Sequence, residues 1–286
     1  MPLFSRNMIL YKTPEEIAIM RDAAQVVSRT LGLVAKHMKE GVTPKELDKM
    51  AHDYILSQDA TPGFLGLYGC PSTLLISVNE MVVHGLPTDK PFVDGDVVSV
   101  DCGAVYKGYY GDHAYTFQIG NVDPEVKKLL KVTKECLYKG IEQCTISNRL
   151  EDIGWAIQQH AESNGYGVVR DLVGHGLGKT LHEEPQVPNY GRRGRGKKLQ
   201  NGLTIAIEPM INMGTEKVIT LDEVNKAIYN ITKNLDNFQY NVVIANIHEI
   251  YNLFHEHLIT NKSSTKTIKK EWEKIIMLLM PITPHL

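Results

Sequence analysis

Cysteine is scarce in this sequence, and the four present, Cys70, Cys102, Cys136 and Cys144, form no CxxC pair. Neither a disulfide framework nor a zinc knuckle or dithiol redox motif is expected from them. A charge excess is missing too. With 31 Lys and Arg against 33 Asp and Glu, and one short basic run from Arg192 to Lys198, there is no clustered basic field to attract a nucleic acid or an anionic membrane. No uncharged apolar stretch reaches the roughly 20 residues of a membrane span. The opening MPLFSRNMILYKTPEE shows neither the apolar core nor the small-residue cleavage site of a signal peptide. These absences lead to the expectation of a cytoplasmic protein with no membrane partner and no direct nucleic-acid partner. Several catalytic signatures are also lacking. The His-Glu dipeptides at 182, 248 and 255 do not extend to HExxH, and no GxGxxG, GxxxxGK[ST] or GxSxG occurs.

Glycine is absent from one part of the chain only. All 23 glycines lie at or before Gly214, whereas the 66 residues after Thr220 hold none and carry eight asparagines, as many as the preceding 220. The break predicts two regions, 1–220 and 221–286. In the first, helical and strand patterns alternate with dense turn punctuation, as in mixed α/β folds. Thr13-Pro14-Glu15-Glu16 and Thr43-Pro44-Lys45-Glu46 are capping boxes with proline at the first helical position. Apolar residues follow each at 3,4 spacing, Ile17, Met20, Ala24, Val27 and Leu31 after the first. Asp123-Pro124 opens a third helix and the region of Ser147 a fourth that ends near Gly165. The second and fourth starts are 104 residues apart (147 − 43), which suggests a weak internal duplication. Strands are expected at Thr73 to Ser77, Val97 to Cys102, Tyr109 to Ile119, Val168 to Leu172 and Thr204 to Ile211. The predicted architecture is α+β, two halves sharing an antiparallel sheet.

The chemistry concentrates in three segments. In VVSVDCG and YYGD, on either side of Lys107-Gly108, a two-residue turn would make opposed positions sum to 215 and set Asp112 against Gly103. Asp101 is then a diagonal neighbour of Asp112, about 7 Å away between backbones. Two carboxylates on one inward face need a cation between them, unless they are a solvated pair at a sheet edge. In VGHGLG, glycines on both sides of His175 let backbone crowd a histidine that presents a nitrogen to a metal or substrate, although a lone histidine is more often structural. In LTIAIEPM, Glu208 ends an apolar strand, where a carboxylate must be a ligand or an ion-pair partner. His84 follows an apolar pair and precedes a glycine. Two aspartates, a histidine and a glutamate form a hard donor set with one imidazole, suited to Mn²⁺, Fe²⁺, Co²⁺ or Zn²⁺ in a two-metal hydrolytic site.

Read in order, NEMVVHGLP, VDCGAVYKGYYGD, GHGLGKTLHEEPQVPNYG and IEPMINMGT resemble the type I methionine aminopeptidases over roughly residues 10–220. The resemblance implies the pita-bread fold of pseudo-twofold halves. It also implies removal of the initiator methionine from nascent proteins, with preference for a small second residue, by two divalent ions (Co, Mn, Fe or Zn). By that similarity Asp101, Asp112, His175 and Glu208 are metal ligands, and His84 and His182 face the substrate. Phe64, Leu67, Cys70 and Leu181 fall where the family lines its methionine pocket, or are plain core. The implied mechanism has a hydroxide between the ions attacking the scissile carbonyl, Glu208 moving its proton and His182 stabilising the oxyanion. The implied partner is the N-terminus of a nascent chain near the ribosome, and the implied state a monomer.

The resemblance departs after Thr220. The family continues into a strand pair with an aromatic-Glu-His motif whose glutamate bridges both metals; here Phe254-His255-Glu256-His257 falls on a helix-like pattern instead. The last strands are thus expected to be replaced by a helical tail that supplies no carboxylate, which opens the alternative of a catalytically impaired chimeric or truncated peptidase, or of a non-catalytic pita-bread binding protein. Residues 221–286, with NKAIYNITKNLDNFQYNVVIANIHEIYNLF and EWEKIIMLLMPITPHL, resemble part of the helical anticodon-binding domain of leucyl-tRNA synthetases, as a gene fusion or misassembly would leave them.

Overall fold

The structure, a computed structural model, describes residues 8–218. Both predicted capping boxes form. Thr13 Oγ1 accepts the Glu16 amide and Glu16 Oε2 accepts the Thr13 amide, and Thr43 and Glu46 repeat the exchange. They start α1 (Pro14–His37) and α2 (Pro44–Ser57), each with proline in its first turn, where a missing N–H costs nothing. The 3,4 spacing of Met20, Ala23, Val27, Leu31 and Val34 buries one face of α1 against a sheet and against α2.

That sheet is built around one long strand. β1 (Thr61–Pro62) and β2 (Leu74–Val78) pair antiparallel with β3 (Val97–Tyr106), and β4 (Tyr109–Gln118) runs along its whole length. Lys107 (φ 49°) and Gly108 (φ 80°) make the turn, both left-handed as a two-residue hairpin of matching twist requires. Gly103 therefore opposes Asp112, the register the sequence predicts. Leu74, Ile76, Val98, Val100, Cys102 and Ala104 alternate onto the face covered by Leu47, Ala51, Ile55 and Val27.

The second half is less regular. α3 (Pro124–Glu142), capped by Asp123, packs on α4 (Leu150–Ser163) with Cys136, Ile153 and Ile157 buried between them. α4 starts later than the serine at 147 suggested, because Asn148 and Leu150 bond to Leu199 and Lys197 and hold Arg149 in a bridge to Lys198. Beyond it lie β5 (Gly167–Val168), β6 (Gly174–Gly176), β7 (Glu183–Val187) and β8 (Ile211–Asn212). The strands expected at Val168 to Leu172 and Thr204 to Ile211 are thus cut short. Residues 204–210 run beside β6 with a single bridge, Gly176 to Ile205, and bonds from Ala206 N to His175 O and Leu177 N to Thr204 O. β6 spans three residues and is bulged between His175 and Gly176, so it cannot template a longer ladder. Among the described residues the two halves keep separate ladders rather than one shared sheet.

By packing, the chain divides into units Met1–Ile211 and Asn212–Leu286. The composition break at Thr220, the helical tail 221–286 and the candidate Glu256 fall outside the described residues.

One polar contact ties the N-terminal segment to the second half. Lys12 Nζ lies 2.5 Å from Glu183 Oε2, and both side chains are nearly closed to solvent, 5% and 6% exposed. Lys12 N donates to Gly202 O, and Glu183 Oε1 accepts the Thr180 amide. Removing one member of a buried pair strands the other charge, so Lys12→Met should lower the unfolding free energy by about 3–5 kcal/mol in urea titration. A second change, Glu183→Leu, should restore most of that loss. An unchanged midpoint in the single variant would show that the pair carries no such weight.

Candidate metal centre

Asp101 and Asp112 come from the hairpin, His175 from β6, and Glu208 from the extended segment beside it. The four lie up to 107 residues apart (208 − 101), and the fold brings them to one cleft. Oxygen or nitrogen atoms of Asp112, His175 and Glu208 all lie within 4.8 Å of one another. His175 Nε2 is 3.4 Å from Asp112 Oδ2 and 3.2 Å from Glu208 Oε1. Two donors each about 2.1 Å from one ion, at octahedral to tetrahedral angles, stand about 3.0–3.4 Å apart. Asp101 is pressed against the same carboxylates. Burial, then the charges of Asp112 and Glu208, push its pKa well above the carboxylate range.

The local sequence explains the convergence. A Cβ at Gly174 would strike the carbonyl of Ala206, and one at Gly176 the carbonyl of Glu184, so both glycines are needed for the three segments to cross at His175. Gly103, opposite Asp112, makes room for the Phe64 ring in the same way; an added Cβ would fall 2.5 Å from Phe64 Cε1.

These residues fit a divalent cation on observations of their own. His175 Nδ1 is 2.8 Å from Gly176 O; in the tautomer that donates this bond, Nε2 presents its lone pair to the cleft, the arrangement that orients a metal-bound imidazole. Glu208 Oε1 is sealed from solvent and accepts no well-formed hydrogen bond. A buried carboxylate oxygen that faces the His175 ring must be balanced by that ring's proton or by a cation. For His175, burial pulls the ring pKa down, but the facing Asp112 and Glu208 carboxylates and the Gly176 carbonyl outweigh it and raise the pKa to about 10.

The remaining predicted residues take up different positions. His182 is exposed and sets its ring edge-on to His175, centroids 4.5 Å apart. Burial of part of its ring, then the neighbouring His175, lowers its pKa; His84, which is exposed, adds to that effect from farther out. Phe64 and Leu181 are buried, Leu67 and Cys70 half-buried, and the Cys70 thiol bonds to Ser72. Sequence reasoning missed Asn189, fully buried, whose Nδ2 donates to Glu208 O at 2.7 Å and fixes that ligand's backbone. It also missed the Lys12–Glu183 pair one residue from His182. Neither lies in a pattern that distinguishes it from loop polarity.

Known proteins match over most of the chain, and the family profile runs on past Thr220. The profile of metallopeptidase family M24 matches residues 18–259. A methionine aminopeptidase of Clostridium perfringens is 49% identical over 216 residues, which cover 76% of this chain and 87% of that protein. Methionine aminopeptidase 1 of Bacillus subtilis is 43% identical over 238 residues, 83% of this chain and 96% of the relative. Among solved structures, the methionine aminopeptidase of Thermotoga maritima superposes with a TM-score of 0.73 at 44% identity, over 75% of this chain and 87% of that one. A Pyrococcus furiosus prolidase, 22% identical with a TM-score of 0.59, shares the fold.

The metal-free protein should depend on pH in a definite direction. Both His175 and Asp101 bind protons more tightly folded than unfolded. The His175 contribution is therefore complete below the unfolded value of about 6.5 and is lost as pH rises through about 10. Asp101 acts in the same sense. Thermal unfolding of chelator-treated protein should fall between pH 6.5 and 10, and Mn²⁺ added at pH 8 should raise the melting temperature and release protons. Asp112→Asn should weaken Mn²⁺ binding by at least about 10- to 100-fold in titration calorimetry. A variant that bound Mn²⁺ as tightly would remove Asp112 from the ligand set.

Proposed function

Since this chain belongs to metallopeptidase family M24 and to its methionine aminopeptidases, we propose that the Asp101, Asp112, His175 and Glu208 cleft is where it removes the initiator methionine. The chain is a metallo-exopeptidase that hydrolyses the first peptide bond of a newly made protein. The observation carrying the site assignment is the meeting of Asp112, His175 and Glu208 within one ligand sphere, with Asp101 against them.

Asp101, Asp112, His175 and Glu208 would hold the divalent ions. When bound, such ions polarise the scissile carbonyl and make water a nucleophile at neutral pH. The chain's own groups do the rest. Glu208 accepts a proton from the attacking water and returns it to the departing amine. His182, held neutral by its surroundings, donates an N–H toward the carbonyl oxygen as negative charge develops. His84, whose charge reaches His182, would orient the new N-terminal residue. Phe64, Leu67, Cys70 and Leu181 receive the methionine side chain, Phe64 lying beside Gly103 at the depth of Asp112. The preference for a small second residue, action near the ribosome, a cytoplasmic setting and a monomeric state belong to the same proposal. The described residues include no helix long and apolar enough to cross a membrane.

We further propose that residues 221–286 are a helical appendage, similar to part of a leucyl-tRNA synthetase anticodon-binding domain, that leaves the bridging carboxylate unsupplied. Residues 1–220 would then form the peptidase domain.

The test is metal-dependent release of methionine from Met-Ala-Ser. His182→Ala should lower kcat about 10²- to 10³-fold, as loss of an oxyanion donor does. Exchanging the tail after Thr220 for the family's closing strands should raise the rate at limiting Mn²⁺ by about 10-fold or more. Equal rates for the two chains would mean that a tail carboxylate already completes the site. No methionine release from either, with metal present, would reject the peptidase reading.

A further inference from the structure

Tyr68 stands at the mouth of this cleft in a conformation that packing alone does not account for. Its backbone is left-handed (φ 51°, ψ 26°), which a tyrosine adopts at a cost. The turn imposes it: Gly66 (φ 83°) and Gly69 (φ 81°) flank the residue, and bonds from Gly66 N to Cys70 O and from Cys70 N to Leu67 O close the loop around it. The conformation does not serve burial, since Tyr68 is 83% exposed, the most exposed large apolar side chain among the described residues. Instead it lays the ring parallel to His182, 9° between planes with centroids 6.0 Å apart. His182 in turn meets His175.

The segment that carries Tyr68 also supplies a depth scale. Phe64, four residues earlier, is buried beside Gly103 at the level of Asp112, while Tyr68 reaches solvent. A peptide whose first side chain sits at Phe64 must therefore leave the cleft past His182 and Tyr68. We infer that Tyr68 is a substrate-binding residue for the part of the peptide beyond the scissile bond, its ring face receiving the peptide plane between the second and third residues. This rests on the aminopeptidase reading and adds a recognition element downstream of the cut. A flat, rigid ring binds a peptide plane at little entropy cost and without regard to side-chain identity, as a processor of many N-termini requires.

The experiment compares methioninamide, which has nothing downstream, with Met-Ala-Ser-amide, in metal-loaded full-length protein. Tyr68→Asn removes the ring yet suits a left-handed backbone, and Tyr68→Phe keeps the ring. In Tyr68→Asn the ratio of kcat/KM for the tripeptide amide to that for methioninamide should fall about fivefold, with the loss in KM, and Tyr68→Phe should restore it. Where turnover is slow, the same ratio is read as Kd by titration calorimetry. An equal loss on both substrates, or a loss confined to kcat, would mean that the ring only props His182 and would overturn the inference while leaving the peptidase intact. Failure of the unaltered chain both to bind and to cleave either compound would overturn the peptidase reading, and this inference with it.

Discussion

Three carboxylates and the His175 imidazole share one cleft, and the fold is arranged to make them stay there. Asp101, Asp112 and Glu208 repel one another and are poorly solvated, so a pliable framework would turn them out to water. Folded domains have only about 5–15 kcal/mol in hand. The structure answers with rigidity where the aspartates sit: a ten-residue ladder between β3 and β4, its register locked by a two-residue turn and its inner side covered by α1 and α2. The protons held by Asp101 and His175 in the metal-free protein are the balancing charge that a divalent cation replaces.

Rigidity alone would not bring the second half to the hairpin. β6 and the 203–208 segment approach through glycines whose missing side chains permit backbone contact, and the loop between β6 and β7 is fastened from both directions. Tyr110 N donates to Gly178 O, which joins that loop to the strand two residues before Asp112. Lys12 reaches the same loop at Glu183, while Tyr109 Oη donates to Glu16 and secures the start of α1. The His182 ring is thus presented by a loop held at two points, as the donor role proposed for it requires.

Sequence patterns revealed the parts whose physics is local. The capping boxes at Thr13 and Thr43 write both halves of the exchange into four residues, and Lys107-Gly108 fixes the hairpin register, hence the diagonal placement of Asp101 beside Asp112, by counting. The segment at Thr204 to Ile211 was less legible. Its apolar run reads as a strand, but a strand needs a partner of equal length, and β6 offers three residues and a bulge. Asn189 and Lys12 were illegible for a related reason: each acts on a residue 19 or 171 positions away, and nothing in its own neighbourhood marks it. Tyr68 was hidden in another way. Its turn is spelled by Gly66 and Gly69, yet the orientation of its ring against His182 depends on a loop more than a hundred residues later.

How Glu208 is placed bears on how much of the site can function independently of the chain beyond residue 220. Its segment bonds to β6 through Ala206 N and His175 O, to the strand-end residue Val169 through Met210 O, and to buried Asn189 through its own carbonyl. All these partners lie between 169 and 210, so the ligand's position is set from the N-terminal side. Yet Ile205, Ala206 and Ile207 are only half-buried, which leaves this stretch with less packing than β3, whose inward residues are closed to solvent. Hydrogen bonds fix its register, whereas resistance to local opening comes mainly from buried apolar contact. Glu208 is therefore well aimed but weakly clamped, the least packed of the residues that could hold a cation.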